Sequence, residues 1–362
     1  MTNLSPARRS CALFPAALAV LLATPVAAQS VTTDDEAIVA LGLRPDAHGP
    51  AGTMADHVHK SGDVMLGLSF TRETSGGAHR RGTRALSDAE VAAAGYTVKD
   101  RTMTMDMAML HLMWAPSDRV TLMAMPMWMR MDMTMEGLPA ATGGGGHSGH
   151  GGHSLMPGET HAHAVEGMGD TQFGALVSLS RRPQLSAHAG LMVSAPTGKV
   201  TRRGADGRFV HYMMQGGSGT WDLAPSFTLR GMTDGFGWGV QASYLFRAED
   251  RNKAGFRFGD RFTATAWGSL PVASRLSLSG RLALSREGTI KGHYNGAHNH
   301  SAPPDLQGNY GGTLVQVGLG ANTVIADRVR LGAEASLPLH QNLNGVQLPR
   351  KWGLSVTSSL MF

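Results

Sequence analysis

The chain has 362 residues, of which 16% are charged, 47 are glycine, 22 are methionine and one is cysteine, with a formal net charge of +5. A soluble domain carries about 25% charged residues and roughly half this glycine, so one or two ordinary soluble domains are excluded. The basic excess is spread thinly, with no Lys/Arg stripe, which gives no support for a nucleic-acid partner.

The chain opens on Arg8 and Arg9, an apolar run from Cys11 to Leu22, and small residues up to Ala28. A positive start, a short apolar middle and a small-residue cut site predict a secretory signal peptide over 1–28, since the run is too short to span a bilayer. Cys11 leaves with it, so an exported chain without disulfides must be held together in another way. Residues 29–61 read as a periplasmic leader. It carries His57 and His59, with Met54 and Asp56 beside them, and this His/Met patch is expected to face the periplasm.

From there the pattern is period two. Twelve such segments follow, at 64–72, 102–114, 119–135, 171–181, 185–195, 220–229, 238–247, 261–270, 275–286, 313–321, 329–340 and 352–362. In the ninth, Leu276, Leu278, Leu282 and Leu284 oppose Ser277, Ser279, Arg281 and Ser285. The connections at 115–118, 182–184, 230–237, 271–274 and 322–328 are short, and those between them are mostly long. Ten-residue amphipathic segments with alternating short and long loops predict an all-β transmembrane antiparallel barrel of the outer membrane over 62–362, with about twelve strands, short periplasmic turns and long extracellular loops. Phe362, ending an amphipathic strand, resembles the C-terminal signal of such barrels. In the first long loop, Ser87 to Gly95 reads as a short capped helix.

Twelve of the 22 methionines lie between Met103 and Met135. On the second segment Met103, Met105, Met107, Met109, His111 and Met113 share one face. On the third, Met123, Met125, Met127, Met129, Met131, Met133 and Met135 do. Trp114, at the hairpin, and Trp128, about one membrane crossing beyond it, lie on the opposite face. Two girdle tryptophans mark that face as the lipid side, which turns the methionines inward. Thioethers are soft ligands suited to Cu(I) or Ag(I), and they are also adaptable apolar fillers. His188 and Met192 are expected to face the lumen as well.

The loop 136–170 is rich in Gly and His: His147, His150, His153, His161 and His163 form a tract of a kind that binds Cu(II), Ni(II) or Zn(II). His211 with Met213 and Met214, and then His293, His298 and His300, repeat the theme. Ser186 and His188 share a strand face without an acidic orienter, so no enzyme is expected.

Met54–Met65 (MADHVHKSGDVM), Met103–Met107 (MTMDM), Met113–Met123 (MWAPSDRVTLM), Gln215–Asp222 (QGGSGTWD), Gly259-Asp260 and Ser194–Gly198 (SAPTG) resemble a family of bacterial outer-membrane transporters. That family is related to the MetA-like barrels of phenol degradation. The resemblance covers roughly 54–362 and implies a membrane barrel in a Gram-negative outer membrane. It also implies an association with copper and heavy-metal handling, and a wider group that moves aromatic or apolar small molecules. Two functions stand. The first is a barrel that binds or passes soft metal, foremost copper, through a Met-lined lumen with His-rich loops. It requires no cofactor beyond a copper or silver ligand, and implies a periplasmic metal-handling partner. The second is a channel for small hydrophobic or aromatic organic solutes.

Overall fold

The computed structural model describes residues 44–139, 155–182, 184–325 and 328–362. The expected signal segment and His147, His150 and His153 lie outside the described residues. Twelve staves form one closed barrel: β1 (Val64–Gly76), β2 (Val98–Ser117), β3 (Val120–Met125 and Met127–Gly137), β4 (Thr160–Met168 and Thr171–Arg181), β5 (Leu185–Ala195), β6 (Asp222–Met232), β7 (Gly237–Arg247), β8 (Arg261–Ala273), β9 (Leu276–Glu287), β10 (Gly312–Ile325), β11 (Val329–Gln347) and β12 (Arg350–Met361). All neighbours are antiparallel, and β1 pairs with both β12 and β2, so the sheet has no free edge. With β3 and β4 each in two pieces and a small hairpin, Arg80–Gly82 and Arg84–Ala85, docked on β11, the sheet counts sixteen strand segments. No helix among the described residues is long and apolar enough to cross a membrane; the strands make the crossing.

Each of the twelve predicted segments is a stave. The break in β3 falls at Pro126, which has no N–H to give to the ladder. The turns 118–119, 233–236 and 274–275 close one end, while 77–97, 196–221, 248–260 and 288–311 crown the other. The predicted capped helix is α1 (Asp88–Ala93), where Ser87 and Glu90 form a capping box.

The two faces differ as the alternation requires. Leu68, Leu112, Phe173, Leu191, Leu282 and Leu337 point outward and are exposed, as are Trp114 and Trp128 at the two girdle heights. Beyond Trp128 the outer face of β1–β4 turns ionic: Arg72 chelates Asp106 at 2.6 and 2.7 Å, and Arg130 pairs with Asp132 at 2.9 Å. Charge is costly in hydrocarbon, so this belt marks where the bilayer ends.

Residues 44–63 do not hang below the barrel. They run into it and lie across the inner faces of many staves. Arg44 donates to the Thr233 carbonyl at 2.8 Å, the Ser277 hydroxyl to Pro45 at 2.8 Å, and the His59 amide to Thr121 Oγ1 at 2.9 Å. The Ala55 carbonyl accepts from Gln241 Nε2 at 3.3 Å and meets His188 Nε2 at 3.0 Å. Ala55 has the only positive φ of a non-glycine among the described residues, 55°, a left-handed turn costing about 1–2 kcal/mol. The wall's hold on its carbonyl offsets that cost. The expected leader is thus, from residue 44 on, a plug.

Candidate functional site

The lumen is built from three parts: a methionine wall, the plug beneath it and a loop cap above it. The wall comes from β2 and β3. Their register sets Met103 opposite Met133, Met105 opposite Met131, Met107 opposite Met129, Met109 opposite Met127 and Met113 opposite Met123. Five rungs of facing thioethers result, because a tight hairpin joins two period-two strands of matching parity. Met131 and Met133 are 2% exposed, and the even-numbered residues face out, as the tryptophans indicate. The upper rungs pack with Met214, Ala302 and Val210 of the loops, and the lower ones with Ala55 and Val58 of the plug. Gly174 on β4 makes room for another thioether: a Cβ there would lie 2.0 Å from Met192 Sδ. Met192 and His188 face inward as expected, and His188 holds the plug.

The opposite wall is polar. Buried Ser277, Ser279, Ser336 and Glu334 line β9 and β11, and the Arg281 Nε donates to both Glu334 oxygens at 3.0 and 3.1 Å. Plug residue Gly52 rests on this pair, where a Cβ would sit 2.5 Å from Glu334 Oε1 and 2.6 Å from Arg281 Nη2. His111, the one break in the β2 ladder, has its Nε2 engaged with Ser69 Oγ at 2.8 Å.

The cap is a folded cluster of loop residues. Tyr294 stacks between Phe209 and Tyr212, each with ring centroids 4.3 Å away, and Phe256 closes edge-on at 5.0 Å. Burial pushes the Tyr212 hydroxyl up to about 12, so this face of the cap stays uncharged. The QGGSGTWD stretch ties the cap to the barrel mouth. Asp222 accepts from Ser218 Oγ at 2.8 Å and Thr220 Oγ1 at 2.7 Å, and Asp170 accepts from the Gly198 and Ser218 amides at 2.9 and 2.6 Å. Two carboxylates satisfied by backbone and hydroxyl donors make a rigid hinge point. Sequence reasoning read these residues only as a motif; their role needs Asp170, which lies 48 positions from Ser218.

The expected histidine ligands separate into groups. His161 and His163, opposite Met135 and Met133, come together with His211: ring centroids are 6.1 Å apart for the first two and 5.5 Å for His163 and His211. His211 Nδ1 lies 2.7 Å from Asp305 Oδ1. His298 and His300 form a separate pair at 4.3 Å. His57 and His59 are not at the periplasmic surface but inside the barrel with the plug. There His57 joins His48 and Asp56, one ligand atom of each lying within 4.8 Å of the others. His48 was missed because it lies nine residues before His57 in an aperiodic stretch. Burial pushes His59 down to about 3 and holds His48 well below the usual imidazole range, so both are neutral. Burial raises Asp56, but the electrostatic pull and hydrogen bond of the adjacent His57 ring, with His48 beside it, outweigh that and hold the carboxyl well below its ordinary value.

No family model matches the chain, and no curated protein matches it. Solved structures do. An outer-membrane channel from Pseudomonas putida F1 superposes with a TM-score of 0.57 at 13% identity, covering 86% of this chain and 99% of that one. A FadL homologue from Pseudomonas aeruginosa gives 0.39 at 10% identity over 89% and 93%, and the KdgM porin in complex with disordered oligogalacturonate gives 0.37 at 8% over 82% and 99%. Closed barrel, apolar belt and likeness define an outer-membrane β-barrel fold, embedded in the outer-membrane lipid of a Gram-negative bacterium.

The expectation of a copper-passing lumen is corrected here. Within this barrel the thioethers of Met103, Met109, Met113, Met123, Met125, Met129, Met131, Met133 and Met135 are buried against one another and against apolar neighbours, with Met105, Met107 and Met127 packed on them. They form the apolar lining. The His/Asp cluster that could hold a metal ion is built from His48, Asp56 and His57, without a ladder methionine.

Proposed function

We propose that the barrel is a channel for small hydrophobic or aromatic organic solutes. One observation carries this reading: the facing methionine rungs make a continuous apolar strip from the aromatic cap to the plug, opposite a wall of serines and an ion pair. Thioethers suit such a solute because they are unbranched, polarisable and able to repack, and each sulfur–aromatic contact contributes about 0.3–1.5 kcal/mol. A strip of many weak contacts lets a solute step along without being trapped. The finer resemblance to the phenol-degradation barrels agrees with this chemistry. In the described arrangement the strip is closed at both ends, so passage requires the plug and cap to give way.

Binding of a naphthalene-type fluorophore to the detergent-solubilised barrel tests the strip directly. Met105→Asp and Met131→Asp each place a charge on it and are expected to weaken binding at least tenfold. Equal binding by the wild type and both variants would contradict the reading.

A further inference from the structure

The plug holds a group of side chains that solute passage does not use. His48, Asp56 and His57 lie together inside the barrel, and His59 is edge-on to His57 with ring centroids 4.6 Å apart. Asp56 organises the group. It accepts from the Gly49 amide at 2.8 Å, which closes the loop between residues 49 and 56, and it lies 2.8 Å from His57 Nδ1 and 3.7 Å from His48 Nδ1. A carboxylate can only accept, so His57 Nδ1 carries the proton and the lone pair is left on Nε2. An imidazole oriented by a carboxylate in this way is the usual arrangement behind a metal ligand.

The nitrogens themselves point the same way. The Nε2 atoms of His48, His57 and His59 are all buried without a hydrogen-bond partner, and His59 is 3% exposed. Buried polar atoms are nearly always paired, and three unpaired imidazole nitrogens in one short segment call for an occupant. A cavity of about 120 Å³, lined by His48, Asp56, His57, His111 and Met113, adjoins the first two and gives room for one.

We propose that the imidazoles of His48 and His57, with His59 as the adjoining donor and Asp56 orienting His57 from behind, form a site for one resident divalent cation of the zinc class that pins the plug inside the barrel. Imidazole suits borderline ions such as Zn²⁺, Ni²⁺ or Co²⁺. Bonds of about 2.0–2.1 Å require tetrahedral ligand atoms roughly 3.4 Å apart, so the group draws in by about 1 Å on binding. The plug, a coil segment, can supply that movement where a barrel strand could not. Arg230 and Arg330 lie on the surrounding wall and temper the affinity. The ion is a fixture of the plug, separate from whatever solute the lumen passes, so the site can stand or fall without the channel reading.

The test uses the full chain, refolded in detergent and stripped with a chelator. Zn²⁺ is titrated calorimetrically into wild type, His48→Ala and Asp56→Asn, with Co²⁺ absorption as the second readout. Heat-modifiable gel migration confirms that each barrel has closed. Any ion taken up by the loop histidines is common to all three proteins, so the expected result is a difference: each variant takes up one equivalent fewer than wild type and loses one tetrahedral Co²⁺ signal. Equal stoichiometry and equal Co²⁺ spectra in closed barrels of wild type and variants would overturn the proposal.

Discussion

At the scale of single residues, two positions decide how the lumen is filled. Gly52 lies against the Arg281–Glu334 pair with no space for a side chain. Gly52→Ala is therefore expected to lift the plug without opening the barrel. Protease cleavage within residues 44–63 should accelerate several-fold while heat-modifiable migration stays unchanged; unchanged cleavage would show that the plug does not rest there. Met131 is the other position. It is 2% exposed, and truncation leaves a cavity among thioethers. Met131→Ala is expected to cost about 2–3 kcal/mol in urea unfolding, at the low end for a buried Met because neighbouring methionines relax into the gap. The inward direction of this residue was legible in the sequence, since Trp114 and Trp128 mark the lipid face. The use of the methionines was not: side-chain type allowed both a soft-metal ligand and an apolar lining, and only the partners around each sulfur decide between them. His48 was illegible for a different reason, because the turn at Ala55 and the Asp56–Gly49 bond bring it to His57 and neither leaves a periodic trace.

At the scale of elements, the staves were readable because each has one lipid face and one lumen face, which imposes period two along the whole crossing. The rim departs from this rule, and there the reading stopped short. β2 starts at Val98, four residues before the predicted segment, and β4 gains Thr160–Met168, because above the bilayer the strands pair onward while their outer face turns ionic. The helix α1 was legible from its cap. Glu90 is held down to about 2 by the hydrogen bond from Arg84 and those from Ser87. A depressed carboxyl stabilises above its free value, near 4.5, and that contribution is lost as pH falls through about 2. Amide protection across residues 88–94, taken relative to the intrinsic exchange rate at each pH, is accordingly expected to fall between pH 4.5 and 2 in wild type and to be flat over that range in Glu90→Gln. The cap of loops was not legible, since its aromatic residues come from connections 196–221, 248–260 and 288–311 with no shared spacing. Removing the ring at its centre in Tyr294→Ala should cost about 3–5 kcal/mol of local stability. Limited proteolysis of those loops would read this as faster cutting, with the staves resistant.

At the scale of the whole molecule, low charge and high glycine belong to a closed lipid-facing sheet, and the chain's length belongs to its loops and plug. For the proposed channel, the plug and cap are the gates and the methionine strip the path between them. Deleting residues 44–61 should raise single-channel conductance in planar bilayers several-fold, and equal conductance would place the constriction in the cap. The central claim is that the path favours apolar solutes. It is tested most directly by uptake into cells whose outer membrane lacks other porins, with and without this barrel, comparing a phenol-type aromatic with a sugar of similar size. The account predicts that the barrel speeds entry of the aromatic and that Met105→Asp with Met131→Asp abolishes the gain. Entry of the sugar accelerated as much as that of the aromatic, or an aromatic rate that ignores the barrel, would contradict it.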